Sequence, residues 1–274
     1  MRLRPSPLVI AAIVALGVLW LKPVLVTSQT ATPTPLSKYQ VGKEKSGYLY
    51  LDAPLRAMQN DDFSNPGYLA VQNGEALWST VDGTKGKSCQ TCHSAAETTM
   101  RGVGARYPAY DTKSGKVIDL EQRINEMRVD MMGAKPYKWE SPQLLALTTY
   151  VKLQSRGMPV AVTTSGPAHA AWLAGKTFYD TPRGQLGMSC EMCHVQHVGE
   201  KLRADTLSQG QTNGFPTYRL SWQAIGSVQR RFRGCNKKVR AQPLPYGSQQ
   251  YVDLELYVAS RGQGLPVETP SVRR

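Results

Sequence analysis

Two pentapeptides, Cys89-Gln-Thr-Cys92-His93 and Cys190-Glu-Met-Cys193-His194, place the tightest constraint on how this chain folds. Cys-x-x-Cys-His is the attachment pattern of a c-type haem. Two thiols add to the two vinyl groups of a porphyrin, and the adjacent imidazole lies beneath the iron. A thioredoxin-like dithiol also uses Cys-x-x-Cys, but it requires a βαβ setting that surrounds neither site. A zinc site drawing on both pairs leaves the histidine after each pair unexplained. The spacing therefore predicts two covalent haems, with Cys89, Cys92, Cys190 and Cys193 as attachment points and His93 and His194 as proximal ligands.

The N-terminus fits a haem protein that matures outside the cytoplasm. Arg2 and Arg4 precede an uninterrupted apolar run from Leu8 to Leu21, followed by Lys22 and a threonine-rich stretch. This is a secretory signal pattern, with cleavage expected after Ser28 and export to a bacterial periplasm. The apolar Pro23 to Val26 leaves an uncleaved anchor as the alternative. Removing residues 1–28 takes away Arg2, Arg4 and Lys22 and no acid, so the formal net charge falls from +13 to +10. A basic exported protein either attracts acidic partners or small anions or simply carries a solvated basic surface. No aromatic-interleaved basic motif points to nucleic acid.

The chain reads as a duplication. Gly74-Glu-Ala-Leu-Trp78 precedes the first pentapeptide and Gly175-Lys-Thr-Phe-Tyr179 the second. Aromatic-proline segments follow, Arg106-Tyr-Pro-Ala-Tyr110 and Gly214-Phe-Pro-Thr-Tyr218. Each half closes on a tyrosine with a proline nine residues later, Tyr150 to Pro159 and Tyr257 to Pro266. Residues 141–154 and 249–259 carry apolar residues at helical spacing, with Ser141 and Pro142 as N-cap and first helical position. The 18 prolines and 24 glycines call for short elements joined by many turns. The expected architecture is mainly α: two tandem cytochrome c-like domains at 45–162 and 168–274 with much irregular loop, after a 29–44 extension. The linker falls near residues 163–167.

On the distal side of each haem, Arg123-Ile-Asn-Glu-Met127 in the first half aligns with Arg231-Phe-Arg-Gly-Cys235 in the second. Met127 and Cys235 are thus candidate distal sulfur ligands, with Met131 and Met132 as rivals in the first half; the plain alternatives are a core methionine for Met127 and an inert buried thiol or an intermolecular disulfide for Cys235. Cys235 lies in the densest positive run of the chain, Arg230, Arg231, Arg233, Lys237, Lys238 and Arg240. Positive neighbours favour a thiolate, which both ligates iron and attacks sulfur. Such a pocket also suits a small sulfur-containing anion. His169 and His197 read as surface or satisfied histidines, with the haem edge as the alternative place for His197, three residues beyond His194.

The residues 115–125 (GKVIDLEQRIN), 132–137 (MGAKPY), 218–235 (YRLSWQAIGSVQRRFRGC) and 251–257 (YVDLELY) closely resemble the SoxA family, and the likeness covers essentially the whole mature chain. SoxA proteins are the c-type cytochrome subunits of the SoxAX complex of bacterial sulfur oxidation. The resemblance implies an L-cysteine S-thiosulfotransferase that couples thiosulfate oxidatively to a cysteine of the SoxYZ carrier, two electrons leaving through haem. It implies Cys235 as the active cysteine and distal ligand of the second haem, Arg231 as an active-site arginine, and the monohaem cytochrome SoxX as partner and electron acceptor. One position departs from the family pattern: dihaem members usually carry a cysteine where this chain has Met127. Two other readings remain open, a plain dihaem electron carrier and a thiosulfate dehydrogenase releasing tetrathionate.

Overall fold

The repeat read from the sequence recurs in the main elements of the computed structural model, which describes residues 35–274. The signal expected at 1–28 lies outside the described residues. An entry segment holds the hairpin β1 (Gln40–Val41) and β2 (Glu44–Lys45) and the helix α1 (Ala53–Asn60). The first half follows as α2 (Tyr68–Ser79), α3 (Cys89–His93), α4 (Ala96–Thr99), the hairpin β3 (Ala109–Asp111) and β4 (Lys116–Ile118), α5 (Leu120–Met127) and α6 (Pro142–Leu153). The second half begins with α7 (His169–Asp180), a π-turn at Met192–Gln196 and the hairpin β5 (Lys201–Leu202) and β6 (Asp205–Thr206). It continues through β7 (Thr217–Arg219), β8 (Ala224–Gly226), α8 (Val228–Lys238), α9 (Gln249–Arg261) and β9 (Ser271–Arg273). The chain is mainly α, as the sequence predicts. Among the described residues no helix is long and apolar enough to cross a membrane.

Helix starts follow local chemistry. Ser141 Oγ accepts from Leu144 N at 3.3 Å with Pro142 at the first helical position, as the sequence predicts. Asp119 caps α5, and Ser227 caps α8 at the matching place. In each half one helix crosses another so closely that only glycine fits. A Cβ on Gly74 of α2 would lie 2.2 Å from the Ala146 carbonyl oxygen of α6, and one on Gly175 of α7 would lie 2.0 Å from the Asp253 oxygen of α9. Around the crossings α6 is buried from Leu144 to Val151, and α9 seals Tyr251, Val252, Leu254 and Leu256. Each buried leucine contributes about 1.5–3 kcal/mol relative to exposure.

The two halves are fused along a seam made by their own repeats. Pro159 bridges Pro266, and Val160 N donates to Leu265 O at 2.9 Å while Val267 N donates to Met158 O at 2.9 Å. Val117 from the first half and Val252, Leu256 and Val267 from the second share one apolar core there. The entry segment crosses to the second half: Gln59 Oε1 accepts from Val272 N at 3.1 Å, Asn65 Nδ2 donates to Pro270 O at 2.8 Å, and Ser46 Oγ donates to the buried Glu268. β9 pairs parallel to β7, so this clamp braces the strand that carries Arg219.

A trio of buried carboxyls also spans the seam. Asp119, Glu121 and Glu255 are all buried, and Gln229 Nε2 donates to Asp119 Oδ2 at 2.8 Å. Burial, with Glu121 beside it, pushes the Glu255 carboxyl up to about 8, against Lys152 and Gln229, which favour its ionised form. Burial likewise raises Asp119 and Glu121. A carboxyl with a raised folded pKa holds its proton more tightly in the native state. Its contribution is complete below the unfolded value near 4.5 and is lost as pH rises through about 8. The melting temperature of the matured protein is therefore expected to fall by about 5–10 °C between pH 6 and pH 9. Glu255→Gln should flatten that decline, and an equally steep decline in the variant would show that the trio does not set it.

Candidate functional site

Both pentapeptides are held as helical turns by the serine before them. Ser88 Oγ accepts from Thr91 N at 3.2 Å while Thr91 Oγ1 accepts from Ser88 N at 3.1 Å. Ser189 Oγ accepts from Met192 N at 3.3 Å. A helical turn brings the two thiols, three residues apart, onto one face with the histidine just beyond. In the first half the His93 ring lies 5.8 Å from Trp78, whose indole N–H donates to Ser94 O at 2.9 Å. In the second half His194 Nδ1 lies 2.8 Å from Ser208 O, which orients the ring and leaves Nε2 for a ligand. Gly210 adopts φ +76, and a Cβ there would lie 2.9 Å from the His194 ring, so glycine lets the loop close over the imidazole.

A cavity of about 260 Å³ opens beside the second motif, with Cys190, Cys193 and His194 in its wall together with Cys235 and Arg231 of α8. Leu207, Phe215, Phe232, Leu254 and Val258 supply apolar lining. The residues fit a c-type haem: two thiols and an oriented imidazole on an apolar cavity, with a further sulfur donor in the same wall. Among the described residues no three His, Cys, Asp or Glu side chains gather as a metal site, so the two cysteine pairs do not combine into one zinc centre.

Cys235 differs electrostatically from the motif cysteines. Burial opposes its ionisation, but the Arg231 guanidinium, the His194 imidazole and Lys238 outweigh that and hold its pKa near 6. A thiolate therefore predominates at neutral pH. Burial instead pushes Cys190 up to about 12 and raises Cys193 and Cys89.

The dense basic run of the sequence does not converge on Cys235, because successive residues point around α8. Only Arg231 and Lys238, one turn away on either side, share its cavity. Arg230 lies 4.4 Å over the Trp222 ring and Arg233 4.5 Å over Tyr246, while Lys237 and Arg240 are exposed. Other cations come from far along the chain. Arg273 and Arg274 line the cavity but are paired with Glu268 and Asp52. Arg219 also lines it, is buried, and was not singled out by sequence reasoning. Burial and the neighbouring Arg231 pull its pKa down to about 10 against Asp205.

Met127 ends α5 and is partly buried, while Met131 is exposed and Met132 buried. The first-half arginine is neutralised. Arg123 Nη2 lies 2.5 Å from Asp111 Oδ1 and Arg123 Nη1 2.9 Å from Glu126 Oε2. Arg123 in turn holds Asp111 well below the usual carboxylate range. His197 is exposed against Glu200, and His169 is exposed and stacks on Trp172 at 5.6 Å, as surface histidines should.

The comparisons with known proteins agree with this layout. The family model described as SoxA/TsdA, cytochrome c domain, matches residues 73–160 and again 174–267. A protein of Pseudaminobacter salicylatoxidans named L-cysteine S-thiosulfotransferase subunit SoxA is 46% identical over 84% of this chain and 80% of its own length. Its namesake from Rhodovulum sulfidophilum is 44% identical over 89% of this chain and 85% of its own. The crystal structure of SoxXA from P. pantotrophus superposes with a TM-score of 0.82 at 42% identity, covering 84% of this chain and 87% of that one.

Proposed function

We propose a function from the premise that the chain belongs to the SoxA/TsdA cytochrome c family, in which its relatives are thiosulfotransferase subunits carrying c-type haem. The reaction we infer joins thiosulfate to a cysteine of a SoxYZ-like carrier protein, with two electrons released per transfer. The observation that carries this reading is the cavity in which a single low-pKa thiolate, Cys235, faces His194 beside Arg231.

Cys89, Cys92 and His93 would hold one haem and Cys190, Cys193 and His194 the other. Bound there, the haems supply one-electron redox chemistry that removes the electrons released when sulfur couples to sulfur. Arg231 holds the sulfonate oxygens of thiosulfate through charge-assisted hydrogen bonds. That directs its outer sulfur at Cys235, and the two sulfurs lose one electron each as their bond forms. The carrier thiol then gives up its proton and attacks the outer sulfur. Cys235 leaves as a thiolate, a good leaving group because its pKa is low. The net change is one S–S bond on the carrier, one proton and two electrons. A SoxX-like monohaem cytochrome would take the electrons onward as the partner in a heterodimer.

The domain boundaries at 45–162 and 168–274 remain part of this proposal, as does action in a bacterial periplasm after cleavage at residue 28. A mature N-terminus at Gln29 is the check on export.

Replacing Cys235 by alanine in protein that retains both haems should cut transfer to the carrier cysteine by about a thousandfold or more. Retained transfer would leave Cys235 with only an electron-carrier role, and free tetrathionate as the sole product would replace the transferase with a dehydrogenase. Met127 sits at the register position of Cys235 and is proposed as the distal ligand of the first haem, where a thioether raises the potential relative to a thiolate. The matured protein should then show a thiolate-to-iron charge-transfer band from one haem alone, and Met127→Ala should lower the potential of the first haem only. Thiolate bands from both haems, or no change in the variant, would remove Met127 from that role.

A further inference from the structure

The two halves keep one register from the aromatic-proline segment to the distal sulfur. Tyr107 and Phe215, Asp111 and Arg219, Asp119 and Ser227, Arg123 and Arg231, and Met127 and Cys235 are all separated by the same interval. The matching elements are the same too: positions 111 and 219 end the first strand of a hairpin, and 123 and 231 lie four residues inside the capped helix that follows. The duplication is therefore an internal control for what each residue does. In the first half the strand position is an aspartate that ion-pairs the helix arginine at 2.5 Å. In the second half the same strand position is Arg219, so the helix arginine meets a second guanidinium instead of a carboxylate.

Two neighbouring cations, the buried Arg219 and the half-buried Arg231, repel each other unless an anion lies between or beside them. Among the described residues the protein supplies only the Cys235 sulfur beside Arg231 and one distant carboxylate beside Arg219, which leaves a positive surplus. Among the described residues Arg231 has no carboxylate at ion-pair distance, and the nearest to Arg219 is Asp205 Oδ2 at 3.7 Å, the second-longest contact among the ion pairs. Among the described residues the Arg219 guanidinium donates no hydrogen bond and its buried Nε has no partner, and the group lies 5.3 Å over the Trp222 ring. The other cavity arginines are engaged: Arg183 donates to Phe178 O and lies 3.4 Å over its ring, and Arg273 and Arg274 have acids of their own. β7, which carries Arg219, is braced by β8 on one side and β9 on the other, so this position is held rather than mobile.

We propose that Arg219 is a second substrate-binding residue, which together with Arg231 grips the sulfonate end of thiosulfate and fixes the dianion beside Cys235. This rests on the thiosulfotransferase reading above and adds to it a two-arginine clamp. Two planar forks match a sulfonate better than one, because three equivalent oxygens accept donors from two directions. The exchange of Asp111 for Arg219 then explains why one half is electrostatically closed and the other open.

The test uses the matured protein with its haems and its cytochrome partner. Thiosulfate binding is measured by titration calorimetry, and transfer onto the carrier cysteine by steady-state kinetics. Arg219→Gln should weaken thiosulfate binding and raise KM by about tenfold or more, with haem content and potentials unchanged. Arg219→Lys should recover part of the loss, and Arg219→Asp, which copies the first half's ion pair onto Arg231, should abolish detectable binding. Wild-type affinity in Arg219→Gln, or a variant that changes the second haem's potential but not thiosulfate affinity, would overturn the proposal and leave Arg219 a haem or structural contact. Wild-type protein that binds thiosulfate without transferring it would count against the transferase reading, while the affinities would still decide the role of Arg219.

Discussion

At Gly74 and Gly175 the backbone of one helix touches the backbone of another, and no larger residue fits between them without moving a carbonyl. Everything else in each half hangs from that crossing. The first helix of the pair leads into the Cys-x-x-Cys-His turn, and the second seals the apolar core behind it. The capped helix between them, α5 or α8, carries Met127 or Cys235 at its last or late turn. The glycines thus fix the layout, and the residues of the strand and helix nearby are left to decide what each half does.

Charge is where the two copies diverge. In the first half Arg123 is matched by Asp111 and Glu126, the sulfur residue is an uncharged thioether, and the site is electrically self-contained. In the second half the same positions hold Arg219, Arg231 and Cys235, and they line an open cavity. A thiolate at Cys235 offsets part of that positive charge. One half is balanced in charge within itself, and the other keeps a positive surplus in its cavity. The seam of Pro159, Pro266, Val160 and Val267 joins the two directly.

Much of this is legible in the sequence because it is local. The haem pentapeptides, the Ser141-Pro142 helix start and the equivalence of Met127 with Cys235 all depend on spacing within a few turns. The basic run around Cys235 misleads for the same reason: a helix spreads five of its six charges around its axis, and only two of the six reach the cavity. The missing charge, Arg219, sits on a strand and becomes visible only when the halves are aligned from the aromatic-proline segment onward and Asp111 falls opposite it. The clamp of Gln59, Asn65 and Ser46 onto the segment from Glu268 to Val272 joins residues more than two hundred positions apart. No periodicity in either segment announces that pairing, which is specified by a buried network around Glu268 rather than by a pattern.

The central claim is that sulfur chemistry takes place on Cys235. Its most direct test is the mass of the Cys235-containing peptide from protein matured with both haems, compared before and after exposure to thiosulfate and again after mild reduction. A reducible sulfur adduct on Cys235, absent from the other cysteine peptides, is the predicted result. A bare thiol that never acquires sulfur while both haems are in place would contradict the account.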